Sequence, residues 1–186
     1  LPVADIVSRL RAHGVATLID GAHAPGSIAV DIPSLGADWY TGNLHKWAFA
    51  PRPSGFLWAA PERQPSLHPP VISWGLDEGF TVEFDWMSTR DPSALLAAPA
   101  GVEFLRYLGL DAVLGHNHAL AMEAADVLAS EWGTEHRIPE CMVGALCAVP
   151  LPGSFGSTKE DAIEIRDRLL FEDRIEIQIH ELQGRL

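Results

Sequence analysis

Two residues in the first part of the chain have the types and surroundings that covalent chemistry needs. Lys46 is one of only two lysines, and it lies between His45 and Trp47 in an apolar segment that contains glycine. An amine that is partly removed from water loses its proton more readily and becomes a nucleophile that can form a Schiff base with an aldehyde. From this context alone, a surface lysine whose aliphatic stem lies over Trp47 is an equally good interpretation.

Asp20 is the candidate partner of Lys46. It follows the apolar run 15–19, which predicts a buried strand, and open parallel sheets bind ligands at the carboxyl ends of their strands. The 26 residues from Asp20 to Lys46 leave room for a crossover and a return to the same edge. A carboxylate against a pyridine nitrogen keeps that ring protonated, so the ring can accept electrons from a breaking bond. Taken alone, Asp20 is better interpreted as a strand-end residue that caps a turn.

Longer strings around both residues resemble a known enzyme family. The segments LIDGAHAPG (18–26), DWYTGNLHKWAFAPRPSGFLW (38–58) and WMSTRDPSALLAAPAGVEFL (86–105) resemble the class V aminotransferases, and most closely the isopenicillin N epimerase-like group. The segment IEIQIHELQGRL (175–186) shows a weaker resemblance. The resemblance implies a fold-type I enzyme that depends on pyridoxal 5'-phosphate (PLP).

The resemblance assigns roles to three of these residues. It implies that Lys46 binds PLP covalently as a Schiff base, that Asp20 bonds the pyridine nitrogen, and that His23 bonds the phenolic oxygen. Many members of the family have glutamine in the position of His23. Either side chain can donate a hydrogen bond to a phenolate, so the exchange preserves the chemistry.

The resemblance also implies contacts with the cofactor phosphate. His45 and Asn43 would face the phosphate, although many members have serine in the position of Asn43. Ser88 and Thr89 match a segment that in this family reaches the phosphate in the neighbouring subunit of a dimer. We therefore expect a homodimer with a shared active site.

The implied function is that of a PLP-dependent enzyme acting on an amino acid or an amino-acid-derived substrate, through the Lys46 Schiff base and Cα deprotonation, as in an epimerase. A carbon-sulfur lyase or an aminotransferase of the same family is an alternative, and so is a non-catalytic fragment or interface module. The family's phosphate-binding and ring-stacking segments have no counterpart upstream of Asp20, and the arginine that binds the substrate carboxylate would follow Leu186. We therefore expect a C-terminal fragment with weak activity or none by itself.

Hydrophobic periodicity predicts an α/β fold. Together with this pattern, the resemblance implies that residues 1–135 form the C-terminal portion of a PLP-binding large domain, with a mixed, mostly parallel sheet and helices, and that residues 136–186 form a truncated α+β small domain. Residues 64–85 are expected to form a long loop. The predicted helices cover residues 3–12, 92–108 with a bend at Pro99, 111–132, and 159–171 with Ile163, Leu169 and Leu170 facing inward; the predicted strands cover residues 15–19, 37–40, 55–60, 142–149 and 174–179.

Composition excludes several classes of function. The formal net charge of -12 argues against nucleic acid, because binding to phosphates depends on clustered Lys and Arg. No apolar run approaches the roughly 18 residues that a membrane helix needs. With 47% hydrophobic and 20% charged residues, the chain has the composition of a soluble globular protein. Two cysteines are too few for a disulfide scaffold, so free thiols in a cytoplasmic protein are expected.

Other candidate sites are weaker. His116 and His118 are two residues apart on a predicted helix and point away from each other, so a metal site is not expected. Cysteine desulfurases share this fold and place a nucleophilic cysteine near the final strand, but residues 172–186 contain none, and Cys141 and Cys147 come earlier. A persulfide mechanism is therefore disfavoured. An aromatic cluster could line a substrate entrance, but a packed loop or a dimer contact is an equally good interpretation; it comprises Trp74, Phe80, Phe84 and Trp86.

Overall fold

The computed structural model describes residues 1–136 and 138–186. Within them the chain forms two compact units, Leu1–His116 and Asn117–Leu186. The domain boundary predicted after residue 135 stays a prediction. The α-helices are α1 (Val3–Ala12), α2 (Ile32–Leu35), α3 (Phe80–Asp85), α4 (Ser93–Leu108), α5 (Leu110–Trp132) and α6 (Lys159–Arg168), and the strands are β1 (Leu18–Asp20), β2 (Trp39–Asn43) and β3 (Gly55–Ala59).

The three strands form one mixed sheet in the order β1-β2-β3. β1 pairs with β2 in parallel, with Leu18 opposite Trp39 and Asp20 opposite Thr41, and β2 pairs with β3 in antiparallel register. The predictions of an α/β fold and of a mixed sheet are confirmed, and the strand predicted at 55–60 is β3. The strand predicted at 37–40 corresponds to β2, which begins two residues later and extends to Asn43.

One carboxylate fixes the register of the parallel pair at the amino ends of its strands. Asp38, directly before β2, accepts a hydrogen bond from the Thr17 backbone N–H at 2.7 Å, and Thr17 directly precedes β1. The backbone N–H groups of Asp38 and Trp39 donate to the Thr17 carbonyl, both at 3.1 Å. A slip of one residue would turn every side chain of a strand to the other face, so this lock determines which groups appear at the carboxyl edge.

The long helices follow their sequence signals. α1 ends where Gly14 adopts a left-handed backbone, and α5 covers the predicted helix 111–132 almost exactly at its bounds. α4 begins after Pro92 and includes Pro99 in its interior. The buried residues of α4 are Ala98, Gly101 and Leu105, and the first two of them are small. Small side chains let the backbones of neighbouring segments approach closely.

Two predictions for the first unit are wrong. The predicted buried strand 15–19 is shorter, and Val15 and Leu18 are exposed, because β1 pairs only with β2 among the described residues. The predicted loop 64–85 contains helical structure at both ends: the 3-10 helix Pro61–Ser66 and α3. In α3, Glu83 is buried and accepts hydrogen bonds from His68 at 2.7 Å and from the Asp77 N–H at 3.3 Å. These bonds compensate the burial of its charge.

The second unit departs further from the prediction. Neither 142–149 nor 174–179 forms a strand, because an alternating pattern needs a neighbouring strand for its hydrogen bonds and the described part of the chain provides none. α6 is confirmed and begins at a capping box between Thr158 and Asp161. Its buried residues are Ala162 and Ile165, whereas Ile163 and Leu170, predicted to face inward, are exposed. Residues 162 and 165 share one face of the helix, and residue 163 lies off it.

Candidate active site

The parallel pairing of β1 and β2 brings the predicted site residues to one edge of the sheet. Asp20 is the last residue of β1 and lies opposite Thr41, and the Gly21 N–H donates to the Thr41 carbonyl at 2.9 Å. Asn43 ends β2, and Lys46 follows three residues later in a turn. Because parallel strands point the same way, both segments leave the sheet at its carboxyl edge, where α/β proteins bind ligands.

Asp20 is exposed and uses one of its two carboxylate oxygens locally. Its Oδ1 accepts the Ala22 backbone N–H at 2.9 Å, so Asp20 does cap a turn. Within the described residues, Oδ2 has no hydrogen-bond donor. Turn capping and ligand binding are therefore compatible, because the first holds the side chain in place and leaves an oxygen for the second.

A buried tyrosine, which the sequence analysis missed, packs under this turn. Tyr40 is only 2% exposed, and its ring stacks on Phe56 with 6.2 Å between centroids. A methyl group on Gly21 would overlap the Tyr40 phenol, so only glycine allows the backbone beside Asp20 to lie against this ring. Burial, and then the charge of Asp20, raise the pKa of Tyr40, which keeps the phenol neutral.

The lysine loop, residues 44–54, is closed by a serine that was not singled out from the sequence. Ser54 is 1% exposed, and its carbonyl accepts the Leu44 N–H at 3.0 Å and the His45 N–H at 3.4 Å. The Ser54 hydroxyl donates to the Pro51 carbonyl at 2.7 Å. These bonds join both ends of the loop and hold the main chain next to Lys46.

The His45 ring is committed to the same serine. Its Nδ1 lies 2.6 Å from the Ser54 carbonyl oxygen and 3.1 Å from the Ser54 nitrogen. These contacts require opposite roles, because the first needs a proton on Nδ1 and the second needs a lone pair. Two acceptors would repel each other at 2.6 Å, so we assign the proton to Nδ1. Nε2 is then an acceptor in the neutral ring and a donor only when the ring is protonated.

His23 connects the Asp20 segment to the lysine loop. The Trp47 indole Nε1–H donates to His23 Nδ1 at 3.3 Å. Because an indole N–H can only donate, Nδ1 carries a lone pair, and a neutral His23 therefore has its proton on Nε2. Gly26 lies against the Trp47 main chain, where a methyl group would be 2.6 Å from the carbonyl carbon. The two segments thus pack directly on each other.

Lys46 itself is exposed, which favours the interpretation of a surface lysine over that of an amine removed from water. Asn43 and His45 are half-buried. Thr89 is exposed in the bend that follows α3, and no described hydrogen bond joins it to the edge. The pairing of β1 and β2 therefore brings the segments that carry the other five predicted residues to one edge of the sheet.

Other candidate sites give no support for different chemistry. The described residues contain no group of three or more His, Cys, Asp or Glu side chains placed to hold a metal ion. His118 Nε2 lies 3.5 Å from Glu140 Oε1. Cys141 and Cys147 are free thiols, and burial, and then the charge of Asp126, raise the pKa of Cys147.

Among the described residues, no helix is both long enough and apolar enough to cross a membrane.

Comparisons with known proteins agree on one family. The family model for "Aminotransferase class-V" matches residues 1–153. The chain is 36% identical to a probable L-cysteine desulfhydrase, chloroplastic, from Arabidopsis thaliana, over 97% of this chain and 39% of that protein. It is 32% identical to the isopenicillin N epimerase of Streptomyces clavuligerus, over 97% of this chain and 49% of that protein.

A solved structure has the same fold. The apo cysteine desulfurase of Thermococcus onnurineus NA1 matches 94% of this chain and 44% of its own, with a TM-score of 0.72 and 17% sequence identity. The chain therefore spans less than half the length of these proteins. The relatives above 30% identity include both a desulfhydrase and an epimerase. The comparisons therefore support a likeness to desulfhydrases and the expected likeness to epimerases equally.

Proposed function

Because the chain belongs to the class V aminotransferase family, whose enzymes depend on PLP, we propose that it carries the cofactor lysine of an enzyme that removes the Cα proton of an amino acid or an amino-acid-derived substrate. The observation that carries the proposal is the parallel pairing of β1 and β2. Because of this pairing, the segments that carry Asp20 and Lys46 leave the sheet at the same edge, and among the described residues Asp20 Oδ2 has no hydrogen-bond donor.

The groups at this edge fit the chemistry of PLP. Asp20 Oδ2 can accept the N–H of a protonated pyridine ring, and His23 Nε2–H can donate to the phenolic oxygen. The Lys46 amine is exposed and can attach covalently to the aldehyde carbon. When bound, PLP supplies that aldehyde and a ring that withdraws electrons from the substrate Cα.

Lys46 then has a second task. With PLP bound, a substrate amine would take the place of Lys46, and the freed Lys46 amine would accept the Cα proton and return it. This requires a fixed main chain and a mobile side chain. The hydrogen bonds that the Ser54 carbonyl accepts from Leu44 and His45 fix the main chain. The exposure of Lys46 leaves its side chain free to move.

Two further residues complete the proposed cofactor contacts in this chain. Asn43 and His45 would bind the phosphate. Because Nδ1 of His45 donates to the Ser54 carbonyl, a hydrogen bond from Nε2 to a phosphate oxygen needs the protonated ring. Thr89 would reach the phosphate in the neighbouring subunit of a homodimer. A cytoplasmic location also belongs to the proposal, although the Arabidopsis thaliana relative is described as chloroplastic.

The fate of the substrate after deprotonation separates two candidate reactions. An epimerase returns the proton to the opposite face of Cα. A carbon-sulfur lyase expels the β substituent, so that L-cysteine and water would yield pyruvate, ammonia and hydrogen sulfide. Relatives support both candidates: four relatives named as L-cysteine desulfhydrases, three of them as probable or putative, are 34% to 36% identical, and two isopenicillin N epimerases are 32% and 34% identical. Transamination remains a third outcome within the family, and a non-catalytic module is the alternative to all three.

Deuterium exchange at Cα tests the proposal without assuming the reaction outcome. The full-length protein is incubated in D₂O with PLP and single L-amino acids, including L-cysteine, and Cα deuteration is followed by NMR. We expect exchange that Lys46→Ala abolishes. Lys159→Ala is the matched control, because Lys159 is the only other lysine of the chain and lies in α6. Exchange that survives Lys46→Ala, or no exchange with any amino acid tried, would contradict the proposal.

The same incubations distinguish the candidate reactions. Sulfide and pyruvate released from L-cysteine in equal amounts indicate the lyase, whereas a D-amino acid or a D-configured peptide residue without loss of a β group indicates the epimerase. A keto acid that appears only with an amino acceptor indicates transamination.

A further inference from the structure

The main chain that follows Lys46 is in close contact with two glycines from other elements. A methyl group on Gly26 would lie 2.6 Å from the Trp47 carbonyl carbon and 2.9 Å from the Ala48 nitrogen. A methyl group on Gly101, inside α4, would lie 2.6 Å from the Ala50 nitrogen and 2.7 Å from the Ala48 carbonyl oxygen. Non-bonded carbon atoms pack at about 3.5–4.0 Å, so neither glycine can carry a side chain unless the lysine loop moves.

Gly101 is an unfavourable residue for its position in the helix. Glycine weakens a helix interior relative to alanine, and α4 has alanine at the neighbouring positions 97, 98 and 100. Gly101 is buried, and the backbone of residues 48–50 occupies the space that its side chain would take. Gly115 in α5 is different, because no described atom outside its own stretch of helix lies within 4 Å of the place that a methyl group would take. The contact with the lysine loop therefore accounts for glycine at position 101.

The contact extends one helical turn along α4. The rings of Phe104 and Phe49 meet edge to face, with 5.1 Å between centroids. Phe49 has a backbone φ of 58°, a left-handed conformation that residues other than glycine rarely adopt. Packing of α4 against the turn supports this conformation, so α4 determines the path of the lysine loop beyond Lys46.

We propose that Gly101 is a positioning residue for Lys46, acting through the main chain of residues 48–50. The inference rests on the proposed function, because it assigns to Gly101 the placement of the lysine that binds PLP. Ser54 holds residues 44 and 45 before the lysine, whereas Gly26 and Gly101 hold residues 47 to 50 after it. The Lys46 Cα is thereby fixed from both sides, and small displacements of a reacting group cost large factors in rate.

The test compares two helix glycines in the full-length protein. Gly115→Ala is the control and should raise the melting temperature slightly, because alanine favours a helix and the site has space. Gly101→Ala should weaken PLP binding by about tenfold or more, the factor that corresponds to a typical penalty for overpacking. PLP binding is measured by titration of the absorption band of the lysine-bound cofactor. The pH midpoint of that band should shift in Gly101→Ala and not in Gly115→Ala.

A second variant covers the case in which Gly101→Ala does not fold. Phe104→Leu removes the aromatic contact without adding bulk, and its partly exposed ring makes a folded product the expected result. It should shift the pH midpoint in the same direction while the melting temperature without PLP stays close to that of the unmodified protein. If the folded variants bind PLP as the unmodified protein does, with the same pH midpoint, the positioning role is refuted. If the unmodified protein binds no PLP, the proposed function fails first and this inference falls with it.

Discussion

Asp38→Asn should lower the free energy of unfolding by about 2 kcal/mol at neutral pH. The carboxylate accepts the buried Thr17 N–H at 2.7 Å and the Arg63 Nε–H at 2.6 Å. A hydrogen bond to a charged group contributes about 1.5–3 kcal/mol, and a half-exposed ion pair adds about 0–1 kcal/mol. Asparagine keeps the shape and one carbonyl oxygen but loses the charge and the second acceptor. Most of the cost comes from the Thr17 bond, because Arg63 remains 43% exposed.

The effect of Asp38→Asn should depend on pH with a defined sign. The Thr17 N–H holds the pKa of Asp38 below its usual 3.8, with Arg63 contributing, while burial opposes the shift. A carboxyl group whose pKa is lower in the folded state stabilises the fold at pH values above its unfolded pKa. That stabilisation is lost as the pH falls through the folded pKa. The difference between the protein and the variant should therefore be present at pH 7 and shrink below about pH 4.

Urea unfolding followed by circular dichroism measures this difference at each pH. Asp31→Asn is the matched control, since Asp31 also accepts a backbone N–H, from Ser34, but is an exposed helix cap. Asparagine is as good a cap as aspartate, so the control should change little. If the two variants have the same stability at pH 7, Asp38 does not lock the register of β1 and β2, and the explanation of the shared edge loses its basis.

Three further predictions concern other parts of the chain. The hydrogen bond to Glu83 raises the pKa of His68. The stability that this bond contributes is complete below about pH 6.5 and is lost as the pH rises through the raised pKa of His68. The loss of melting temperature in Glu83→Gln, measured by thermal unfolding, should therefore be larger at pH 6 than at pH 9. Thr158→Ala should destabilise α6 by about 1 kcal/mol in urea unfolding, whereas Thr158→Ser should be nearly neutral. Cys147 should react with iodoacetamide more slowly than the exposed Cys141, as measured by mass spectrometry, because burial raises the pKa of its thiol.

The parts of the fold that were predicted are those whose signals are local. The helices α5 and α6 depend on neighbouring residues, and the 26 residues from Asp20 to Lys46 left room for a return to the same edge of the sheet. The strands expected at 142–149 and 174–179 failed because a strand also depends on a partner that its own pattern does not specify.

The supporting residues of the site were missed for a similar reason. Gly101 is separated by more than fifty residues from the backbone that it contacts, and Ser54 acts through main-chain atoms that every residue possesses. The signal available for Gly101 was a glycine within an alanine-rich helix, which weakens a helix without a compensating local advantage. The signal for Tyr40 was Gly21, which directly follows the candidate cofactor residue Asp20, because a glycine at such a position indicates that another group approaches the backbone closely.

Reduction with borohydride in the presence of PLP tests the central claim most directly. The full-length protein is incubated with PLP, reduced, digested and analysed by mass spectrometry for a pyridoxyl group on lysine. We predict that the label is fixed on Lys46, that the absorption band of the bound cofactor disappears on reduction, and that Lys46→Ala shows neither band nor label. A label on Lys159 in place of Lys46, or no label on either lysine, would contradict the assignment of Lys46 as the residue that binds the cofactor.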